Sequence, residues 1–500
     1  MEDNKIHRIV IAGGGTAGWM AAASLSRLLG KTLDIKLIES EQIGTVGVGE
    51  ATIPTLLTLH ELLKIKEQDF LAAVQGTFKL GISFENWKDV GEEYIHSFGF
   101  TGQDCWAAGF QHFWLKEKKL GISKEYGEYC KEWVAAKQSR FAVLSNRGTA
   151  QGLNYAYHID ASLYAKMLRE IAEDHGVVRQ EGKIEDVEQD PESGFIKALQ
   201  LDSGERIEGD LFIDCTGFRG LLIEQTLGTE YEDYSHWLPC DSAVAVQTEA
   251  VGPPIPYTRA IARDAGWQWR IPLQHRVGNG LVYSSEHCSD DEAIDTILKS
   301  VEGKTLTEPR VLKFKGGQRK QHWRKNVVSV GLSSGFIEPM ESTSIHLIQR
   351  SIIRLMQLFP YAGIRQPDID EFNIQMRTEI EHIRDFIILH YHVTERTDTP
   401  FWRYCKSMDI PESLSHRIEL FKQTGRVFKL PTELFGENSW IQVMLGQGLV
   451  PEQYHPIVNM MSDEELEKFL GGIRHSAFDL ASQLPLHQRF IDHYCKATPP

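Results

Sequence analysis

The sequence predicts an α/β fold: a Rossmann-type module with mixed sheets, followed by a mostly helical C-terminal subdomain. Three observations support this prediction. The chain opens with an apolar, β-branched run at 7–12, a glycine-rich turn, a helix-like segment and a second strand at 33–40. Such a β–α–β start is typical of a parallel sheet with a right-handed crossover. A further buried strand is predicted at 211–217, and the pattern becomes largely helical after residue 350.

The elements between these landmarks follow in order. Apolar residues at helical spacing predict a helix over 161–176, which Gly176 ends. Alternating polar and apolar residues then predict short strands, with a turn at Ser203–Gly204. We therefore expect one module over 1–355, with substrate-side segments at about 77–150, and a helical subdomain on the substrate side over 356–500.

Composition and charge exclude several classes of protein. The net charge of −16 disfavours binding to nucleic acid or to an anionic membrane surface. The seven cysteines form no C-x-x-C pair, which indicates reduced thiols rather than disulfides or a zinc site, and we predict no metal site. No apolar run approaches the ~20 residues that cross a bilayer, and the first strand follows the N-terminus directly. The expected location is the cytoplasm.

A dinucleotide-binding motif occupies the first turn. Gly13, Gly15 and Gly18 fit G-x-G-x-x-G, with Thr16 and Ala17 opening the helix whose N-terminus attracts phosphate. Glu39 ends the second strand, where an acid that binds ribose is expected, and this favours FAD or NAD over NADP. The alternative is a flexible glycine turn without a ligand.

Two later segments decide between FAD and NAD. Residues 209–220 and 326–336 resemble the second and third sequence signatures of FAD monooxygenases, and a glycine-rich stretch at 44–54 suits close approach of backbone to a flat ligand. Three segments spread along the chain fit a long dinucleotide. The fold is thus predicted to be an FAD-binding, monooxygenase-like one.

A pair of tryptophans narrows the resemblance further. Trp267 and Trp269 belong to G-W-Q-W-R-I-P, and period two places both indoles on one face of a strand that Pro272 ends. Alone, this pattern is typical of core packing. Together with the glycine motif it resembles the W-x-W-x-I-P signature of flavin-dependent halogenases, the tryptophan-halogenase-like family related to FAD monooxygenases.

The resemblance implies a reaction and its participants. In that family FADH2 and O2 form a flavin C4a-hydroperoxide, which oxidises chloride or bromide to hypohalous acid. The tryptophans are thought to keep the organic substrate away from the flavin. A second G-x-G-x-x-G is absent from the sequence, which agrees with a separate flavin reductase supplying FADH2. The alternatives are an FAD-dependent aromatic hydroxylase and a flavin-binding protein without catalysis.

The resemblance also assigns catalytic residues. Lys79 matches the family's lysine, which directs the electrophilic halogen at the substrate. Alternation predicts a strand with Leu80, Ile82 and Phe84 on one face and Lys79 on the other. The alternative for Lys79 is an exposed strand lysine. Glu341 matches the catalytic glutamate of P-x-E-S-T-G-I.

The same segments match cofactor and halide contacts. Thr343 and Ser344 would hold the halide through backbone N–H groups at a helix start, although tryptophan-halogenating members usually have Gly at the second position. A capped helix without a ligand is the alternative. The remaining residues matched to positions near the flavin are Glu50, Ala51, Leu332 and Ile345.

Aromatic residues predict the substrate. His96 and Phe98 resemble the stretch that sandwiches an indole in tryptophan halogenases, and Trp440 matches the residue that closes the sandwich. Packing of His96 and Phe98 in a core is the alternative. The residues that grip a free amino acid find no match, so an indole or another small electron-rich aromatic is favoured over tryptophan. A homodimer is compatible with the sequence.

Overall fold

The computed structural model describes residues 5–30, 32–42, 49–144 and 152–498. Residues 44–48 of the glycine-rich stretch lie outside these ranges. Among the helices described, none is long and apolar enough to cross a membrane.

The chain forms two compact units, each assembled from three segments. Unit 1 comprises Met1–Gln75, Ile159–Ser235 and Phe314–Glu381, and unit 2 comprises Gly76–His158, His236–Lys313 and His382–Pro500. The predicted boundary at residue 355 falls inside a helix, Ser344–Gln357, and does not coincide with a boundary between the units. The prediction followed the order of patterns along the chain, whereas the units are defined by contacts between distant segments.

The strands, in chain order, are β1 Arg8–Ala12, β2 Asp34–Glu39, β3 Gly49–Ala51, β4 Thr77–Lys79, β5 Gly81–Glu85, β6 Glu93–Ser97, β7 Ala156–Asp160, β8 Val178–Glu181, β9 Ile184–Gln189, β10 Ile196–Leu201, β11 Arg206–Glu208, β12 Leu211–Asp214, β13 Tyr231–Asp233, β14 Ser242–Thr248, β15 Thr258–Arg263, β16 Gly266–Pro272, β17 Val277–Tyr283, β18 Arg310–Lys313, β19 Gly317–Arg319, β20 Trp323–Arg324, β21 Val327–Ser329 and β22 Gly335–Phe336.

The α-helices are α1 Thr16–Leu29, α2 Thr55–Leu62, α3 Glu67–Ala73, α4 Phe110–Lys119, α5 Lys131–Lys137, α6 Ala161–Asp174, α7 Asp290–Ser300, α8 Ser344–Gln357, α9 Gln366–His392, α10 Pro400–Ser407, α11 Glu412–Thr424, α12 Glu437–Gly446, α13 Asp463–Gln483 and α14 His487–Tyr494. The predicted helix over 161–176 is confirmed as α6, whose N-cap Asp160 accepts hydrogen bonds from the backbone N–H groups of Ser162 and Leu163.

Unit 1 contains a largely parallel sheet with the strand order β20–β21–β12–β1–β2–β8. β1 pairs in parallel with β2 and β12, and β20 alone is antiparallel to its neighbour. Buried apolar residues of these strands, including Val10, Ile38 and Phe212, form the core. Parallel strands end at one edge, so the loops after β1, β2, β12 and β21 meet there, where dinucleotides bind in open α/β sheets.

Unit 2 contains a seven-stranded sheet with the order β18–β14–β17–β16–β15–β5–β6. All its neighbours are antiparallel except β15 and β5. β6 therefore lies at the edge of this sheet. The described part of the chain thus has the predicted α/β fold with mixed sheets, and from Ser344 onward its elements are helices, as expected for the C-terminal part.

Candidate active site

The glycine loop after β1 is shaped by the backbone around it. Gly13 has φ +110°, and a Cβ on it would lie 2.3 Å from the Cys215 carbonyl oxygen. A Cβ on Gly18 would lie 1.9 Å from the Gly13 carbonyl oxygen. Glycine is therefore required at positions 13 and 18 to avoid clashes with the protein's own backbone, whether or not a ligand is bound. A Cβ on Gly15 meets nothing within 4 Å among the described atoms. Gly15 therefore leaves open space at the helix start, which fits a pyrophosphate.

The start of α1 completes this cradle. Thr16 and Ala17 are its first residues, and the N-cap Gly15 brings no side-chain hydrogen bond to the first turn. The N–H groups and the positive end of the helix dipole therefore face the loop without a side-chain cap, which suits an anion. These residues fit the phosphates of FAD.

Glu39 ends β2, as predicted, and its carboxylate lies against the loop. A Cβ on Gly14 would be 1.6 Å from Glu39 Oε2. The carboxylate accepts a hydrogen bond of 3.2 Å from Trp19 Nε1 and pairs with the Arg179 guanidinium. Its position fits contact with a ribose, and its partners hold it there.

The other two predicted flavin segments adjoin the first. Cys215 follows β12 and touches Gly13, while Gly331 follows β21. A Cβ on Gly331, whose φ is +75°, would lie 2.9 Å from the Ala17 Cβ. Leu332 is half-buried in the short 3-10 helix that Gly331 opens. Three sequence segments thus converge at the edge of the parallel sheet.

Glu50 and Ala51 form β3, beside the part of the glycine-rich stretch that lies outside the described residues. Ala51 is buried. Burial raises the pKa of Glu50 to about 7. This carboxyl group therefore titrates near neutral pH.

The segment around Glu341 turns sharply into α8. Glu341 ends the short 3-10 helix Pro339–Glu341, and Ser342 has a left-handed φ of 61°. α8 then begins at Ser344, which confirms the predicted helix start. Glu341 and Thr343 are fully buried, and Ile345 is 3% exposed.

The N-terminus of α8 carries no side-chain cap. Its N-cap residue, Thr343, makes no capping hydrogen bond, and Thr343 Oγ1 has no hydrogen-bond partner among the described residues. A buried hydroxyl without a partner is costly, and uncapped N–H groups at a helix start attract an anion. The arrangement fits the predicted halide contact at Thr343 and Ser344.

A buried ionic network holds this helix start. His346 Nδ1 lies 3.0 Å from Thr55 Oγ1, and His346 Nε2 lies 2.8 Å from Glu379 Oε1. The other Glu379 oxygen pairs with Arg354 and Arg350. Burial raises the pKa of Glu379, but the His346 hydrogen bond and the charges of His346 and the arginines outweigh it and lower that pKa to about 2. Glu379 therefore stays ionised and ties α8 to α9.

In unit 2, Lys79 is fully buried at the end of β4. Its Nζ lies 5.1 Å from the centre of the Phe98 ring. The expectation of one strand running through Lys79 and Phe84 is wrong, because the chain changes sheets at Leu80: β4 pairs with β7, whereas β5 pairs with β6 and β15. The exposed-lysine alternative is also wrong.

His158 lies close enough to Lys79 to respond to its charge. His158 Nδ1 lies 2.9 Å from Thr77 Oγ1, and its Nε2 lies 2.9 Å from Thr258 Oγ1. Burial, together with the positive charge of Lys79, holds the pKa of His158 well below its usual range. A neutral His158 therefore accompanies the buried ammonium.

Two of the predicted substrate residues, His96 and Trp440, belong to one aromatic cluster in unit 2. The His96 ring lies 5.7 Å from that of Phe386 and 6.3 Å from that of Phe435, between ring centres. Phe386 stacks on Phe435 at 3.9 Å and meets Trp440 edge-on at 4.8 Å. Phe386 and Phe435 thus connect His96 to Trp440.

Trp440 is 2% exposed in α12 and is covered by a cation. The Arg417 guanidinium lies 4.1 Å from the centre of its ring and pairs with Glu433. A pocket of about 50 Å³ adjoins Trp440 and is lined by these residues with His382, Asp385, Ser413, Leu414 and Leu430. The Trp440 indole N–H has no hydrogen-bond partner in the ranges that the structure describes.

The two signature tryptophans lie on one face of β16, as predicted. Their ring centres are 6.2 Å apart, and Pro272 is the last residue of the strand. A Cβ on Gly280 of β17 would lie 2.0 Å from Trp269 Cζ2, so glycine makes room for this indole. Trp267 also contacts Trp87, which packs on Trp402, and therefore contributes to the core of unit 2.

Comparison with known proteins identifies the family. The family model described as tryptophan halogenase matches residues 8–463. The chain belongs to the tryptophan halogenase family. The tryptophan 6-halogenase SttH of Streptomyces toxytricini is 35% identical over 97% of both chains.

Solved structures of halogenases have the same fold as this family member. Xcc4156, a flavin-dependent halogenase from Xanthomonas campestris, is 59% identical, with a TM-score of 0.97 over 99% of this chain and 100% of its own. BrvH, a flavin-dependent halogenase from Brevundimonas sp. BAL3, is 44% identical, with a TM-score of 0.94 over 100% of both chains.

Membership of the tryptophan halogenase family confirms the enzyme class. The protein is a flavin-dependent halogenase that uses FAD as FADH2, O2 and a halide. Halogenases of this family act on an aromatic substrate and use a separate flavin reductase. The aromatic hydroxylase and the flavin protein without catalysis are not favoured.

Several features of this halogenase were missed from the sequence. Phe386 has the pattern of an ordinary core residue in an apolar part of a helix, and Phe435 lies among mostly polar residues just before a helix. The Thr55–His346–Glu379 network joins residues far apart in the chain, and no local pattern indicates it. A weak signal was present at His346, an ionisable residue within an apolar helical stretch, whereas Glu379 lies among other charged residues.

Proposed function

We propose that this enzyme halogenates a small, neutral, electron-rich aromatic compound such as indole. One observation carries the proposal: a fully buried lysine, Lys79, lies against the Phe98 ring in the unit that also holds the aromatic cluster around Trp440. Burying an ammonium group costs free energy, so a buried lysine is expected where its charge has a function, and aromatic side chains favour a flat electron-rich ring.

The cofactor side is assigned to unit 1. Gly13, Gly15, Thr16, Ala17, Gly18 and Glu39 would hold the ADP half of FAD, and Glu50, Ala51, Leu332 and Ile345 would lie near its ring system. Bound reduced flavin supplies, with O2, the oxidising equivalents that turn halide into hypohalous acid. Thr343 and Ser344 would bind the halide through N–H groups at the start of α8. The glycine geometry and the uncapped helix starts support this assignment.

Lys79 and Glu341 would act on the substrate. Lys79 would hydrogen-bond the hypohalous acid and orient its halogen, and the Lys79 ammonium would give a proton to the hydroxide that leaves, forming water. A bond between ring carbon and halogen forms, and the C–H bond at the same carbon then breaks. Its proton passes to the Glu341 carboxylate, which restores aromaticity. The complete burial of both side chains supports these roles, because burial strengthens their electrostatic interactions.

Charges near Trp440 support a neutral substrate. Arg417 pairs with Glu433, and Arg384 pairs with Asp385. Asp385 also accepts a hydrogen bond from Ser413. These groups are engaged with one another, whereas a free amino acid needs partners for its ammonium and carboxylate.

The test is a halogenation assay on the purified protein with FAD, a flavin reductase, NADH and O2. Indole and tryptophan are supplied in parallel, each with chloride or bromide, and products are identified by their halogen isotope pattern in mass spectrometry. We expect halogenated indole and little or no halogenated tryptophan. Halogenation of tryptophan at the higher rate would contradict the neutral-substrate proposal, and oxygenated product without halogen would contradict the function.

The finer partner and location predictions rest on composition. The net charge of −16 supports action without nucleic acid or a membrane surface, and the seven cysteines, all free thiols in the structure, fit the cytoplasm. The homodimer stays a prediction.

A further inference from the structure

The helix that carries Trp440 is fixed to the edge strand that carries His96 by side-chain amides. Gln442 of α12 accepts hydrogen bonds from Ser97 N at 2.9 Å and from Ser97 Oγ at 3.0 Å. Its Nε2 donates to the carbonyl oxygens of Ser97 at 3.3 Å and Gly99 at 3.5 Å. One amide therefore satisfies several backbone groups at the end of β6.

Asn438 repeats this arrangement one helical turn earlier. Its Nδ2 donates to the Gly99 carbonyl oxygen at 2.7 Å, and its Oδ1 accepts from Thr101 N at 3.1 Å. Because residues four apart share one face of a helix, Asn438 and Gln442 form a single contact surface. We call these two residues the amide clamp.

Close packing continues the clamp along the strand. Gly446 lies one further turn along α12, and a Cβ there would be 2.4 Å from the Tyr94 Cγ. The helix therefore runs along β6 in the opposite direction, from Thr101 past Ser97 to Tyr94. Any slip of α12 along β6 would break the hydrogen bonds and bring Gly446 out of contact.

The orientation of the Gln442 amide is itself determined. Ser97 Oγ donates to Gln442 Oε1 and lies 3.1 Å from the Cys130 thiol, which donates to Glu132 Oε2 at 3.5 Å. Burial raises the pKa of Cys130 to about 12, which keeps this thiol protonated. Ser97 N and Oγ both require an oxygen from Gln442, and the Ser97 and Gly99 carbonyls require its nitrogen.

The clamp connects two walls of the proposed substrate site. His96 precedes Ser97 in β6, so its side chain leaves the strand on the face opposite that of Ser97, and Phe98 directly follows the end of the strand. Trp440 lies midway between Asn438 and Gln442 in the sequence, and at 100° per residue it leaves α12 on the side opposite the clamp. Both aromatic walls are therefore directed by the same register of α12 on β6.

We propose that Gln442, with Asn438, is a positioning residue that determines which ring carbon of the substrate is halogenated. The inference rests on the proposed function of the aromatic residues. The clamp touches no substrate in this assignment and acts by fixing Trp440 relative to His96 and Phe98. A shift of about 1 Å in such walls is enough to move a reacting atom away from its partner.

The test compares isomer ratios, which do not depend on how much enzyme is folded. The probe is 3-methylindole, whose most nucleophilic carbon is blocked, with bromide and the reductase system described above. Free hypobromous acid gives the intrinsic isomer distribution as a reference. We expect Gln442→Leu to change the wild-type isomer ratio toward that reference by at least about fivefold, and Asn438→Leu to change it in the same direction by less.

Two further variants separate positioning from stability. Gln447→Leu removes another buried amide at the end of α12, which donates to the His390 carbonyl at 2.8 Å rather than to β6, and should leave the ratio unchanged. Gln442→Glu retains the acceptor for Ser97 and should restore part of the wild-type ratio. If Gln442→Leu fails to fold, Asn438→Leu and Gln442→Glu provide the comparison.

The outcomes distinguish this inference from the proposed function. A wild-type enzyme that halogenates neither 3-methylindole nor indole would overturn the proposed function and this inference with it. A halogenating wild type whose isomer ratio is unchanged in both clamp variants would overturn the inference alone, even if the variants melt at lower temperature. A change as large in Gln447→Leu would equally overturn it, since that variant leaves the clamp intact.

Discussion

Unit 1 and unit 2 build their candidate sites from different parts of the chain. In unit 1 the candidate site is formed mainly by the main chain. Glycines leave space or avoid clashes, and the starts of α1 and α8 present backbone N–H groups. In unit 2 the candidate site is formed by side chains, and Lys79, His96, Phe386 and Trp440 come from distant segments of the chain. Recognition by the main chain leaves short motifs in the sequence, whereas recognition by side chains leaves scattered residues.

The largest expected effect tests the side-chain site of unit 2. Lys79→Met should lower the halogenation rate by roughly 10²–10⁴-fold, the range lost with a group that directs proton or halogen transfer. The melting temperature should not fall, because an apolar side chain replaces a buried ammonium of similar length. FAD binding, followed by flavin fluorescence, should be unchanged.

Lys116→Met is the matched control for Lys79→Met. Lys116 is 7% exposed in α4 and donates to the Met461 carbonyl oxygen at 2.7 Å, so a buried lysine is again removed from unit 2. This variant should retain the wild-type rate per folded enzyme. Equal activity of Lys79→Met and wild type would refute the assignment of Lys79.

The second prediction tests whether unit 1 depends on the main chain alone. Glu379→Leu removes the carboxylate that holds His346 and Arg354, and should lower the free energy of unfolding by about 3–5 kcal/mol, as expected when one partner of a buried ion pair is lost. Urea denaturation measures the change. The halide concentration for half-maximal rate should also rise, because His346 lies in the first turn of α8.

A control on the same helix separates burial from charge. Glu381 pairs with Arg377 at the surface of α9, and Glu381→Leu should change stability by no more than about 1 kcal/mol. If Glu379→Leu lowers the free energy of unfolding as little as Glu381→Leu, the ionic network does not support the start of α8. The candidate site of unit 1 would then depend on the main chain alone.

These differences explain which parts could be predicted from the sequence. Gly13, Gly18 and Glu39 could be placed because each is fixed by local geometry between adjacent elements. The division into units could not, because each unit joins three separate segments. The change of sheet at Leu80 was missed because β4 and β5 together read as one alternating strand, and their pairing partners lie elsewhere in the chain.

The aromatic cluster shows the same limit. His96 and Trp440 were found only through resemblance to a family, and Phe386 and Phe435 were not found. A phenylalanine that lines a site and one that fills a core have the same local pattern in a sequence. Only tertiary structure brings these four rings together.

The third prediction separates two roles of the glycine loop: Gly13 is needed for folding, and Gly15 is needed for FAD binding. Gly13→Ala places a Cβ 2.3 Å from the Cys215 carbonyl oxygen at φ +110°, so it should lower the melting temperature of the protein even without FAD. The added methyl group of Gly15→Ala meets no described atom within 4 Å, so this variant should leave that temperature unchanged. It should instead weaken FAD binding by about tenfold, because the added methyl group occupies space left for pyrophosphate.

Fluorescence titration with FAD and thermal melts of the FAD-free protein check this contrast. Gly30→Ala is a suitable control for a glycine outside the loop: its φ is +80°, but a Cβ there meets nothing within 4 Å among the described atoms. It should lower stability slightly and leave FAD binding unchanged. Tight FAD binding by Gly15→Ala would show that the cofactor does not approach this part of the loop.

The smallest effect concerns the pH dependence of unit 1. Burial raises the pKa of Glu50 to about 7 from an ordinary value of 4.5. Between these two values the folded state binds more protons at this site than the unfolded state, so the Glu50 contribution to stability falls as the pH rises through that window. Glu50→Gln, which cannot ionise, should therefore melt at a higher temperature than wild type at about pH 8 and at nearly the same temperature at about pH 5.

The test uses the difference in melting temperature between wild type and Glu50→Gln, because buried histidines change stability with pH in the opposite direction to Glu50. Burial lowers the pKa of His60 and of His322 to about 3, so their contribution is lost as the pH falls below about 6.5. Both histidines are present in wild type and in Glu50→Gln, so their contributions to stability cancel when the two proteins are compared. A constant difference between Glu50→Gln and wild type across the pH range would mean that Glu50 is solvated, and that unit 1 holds no carboxyl group poised near neutral pH in β3.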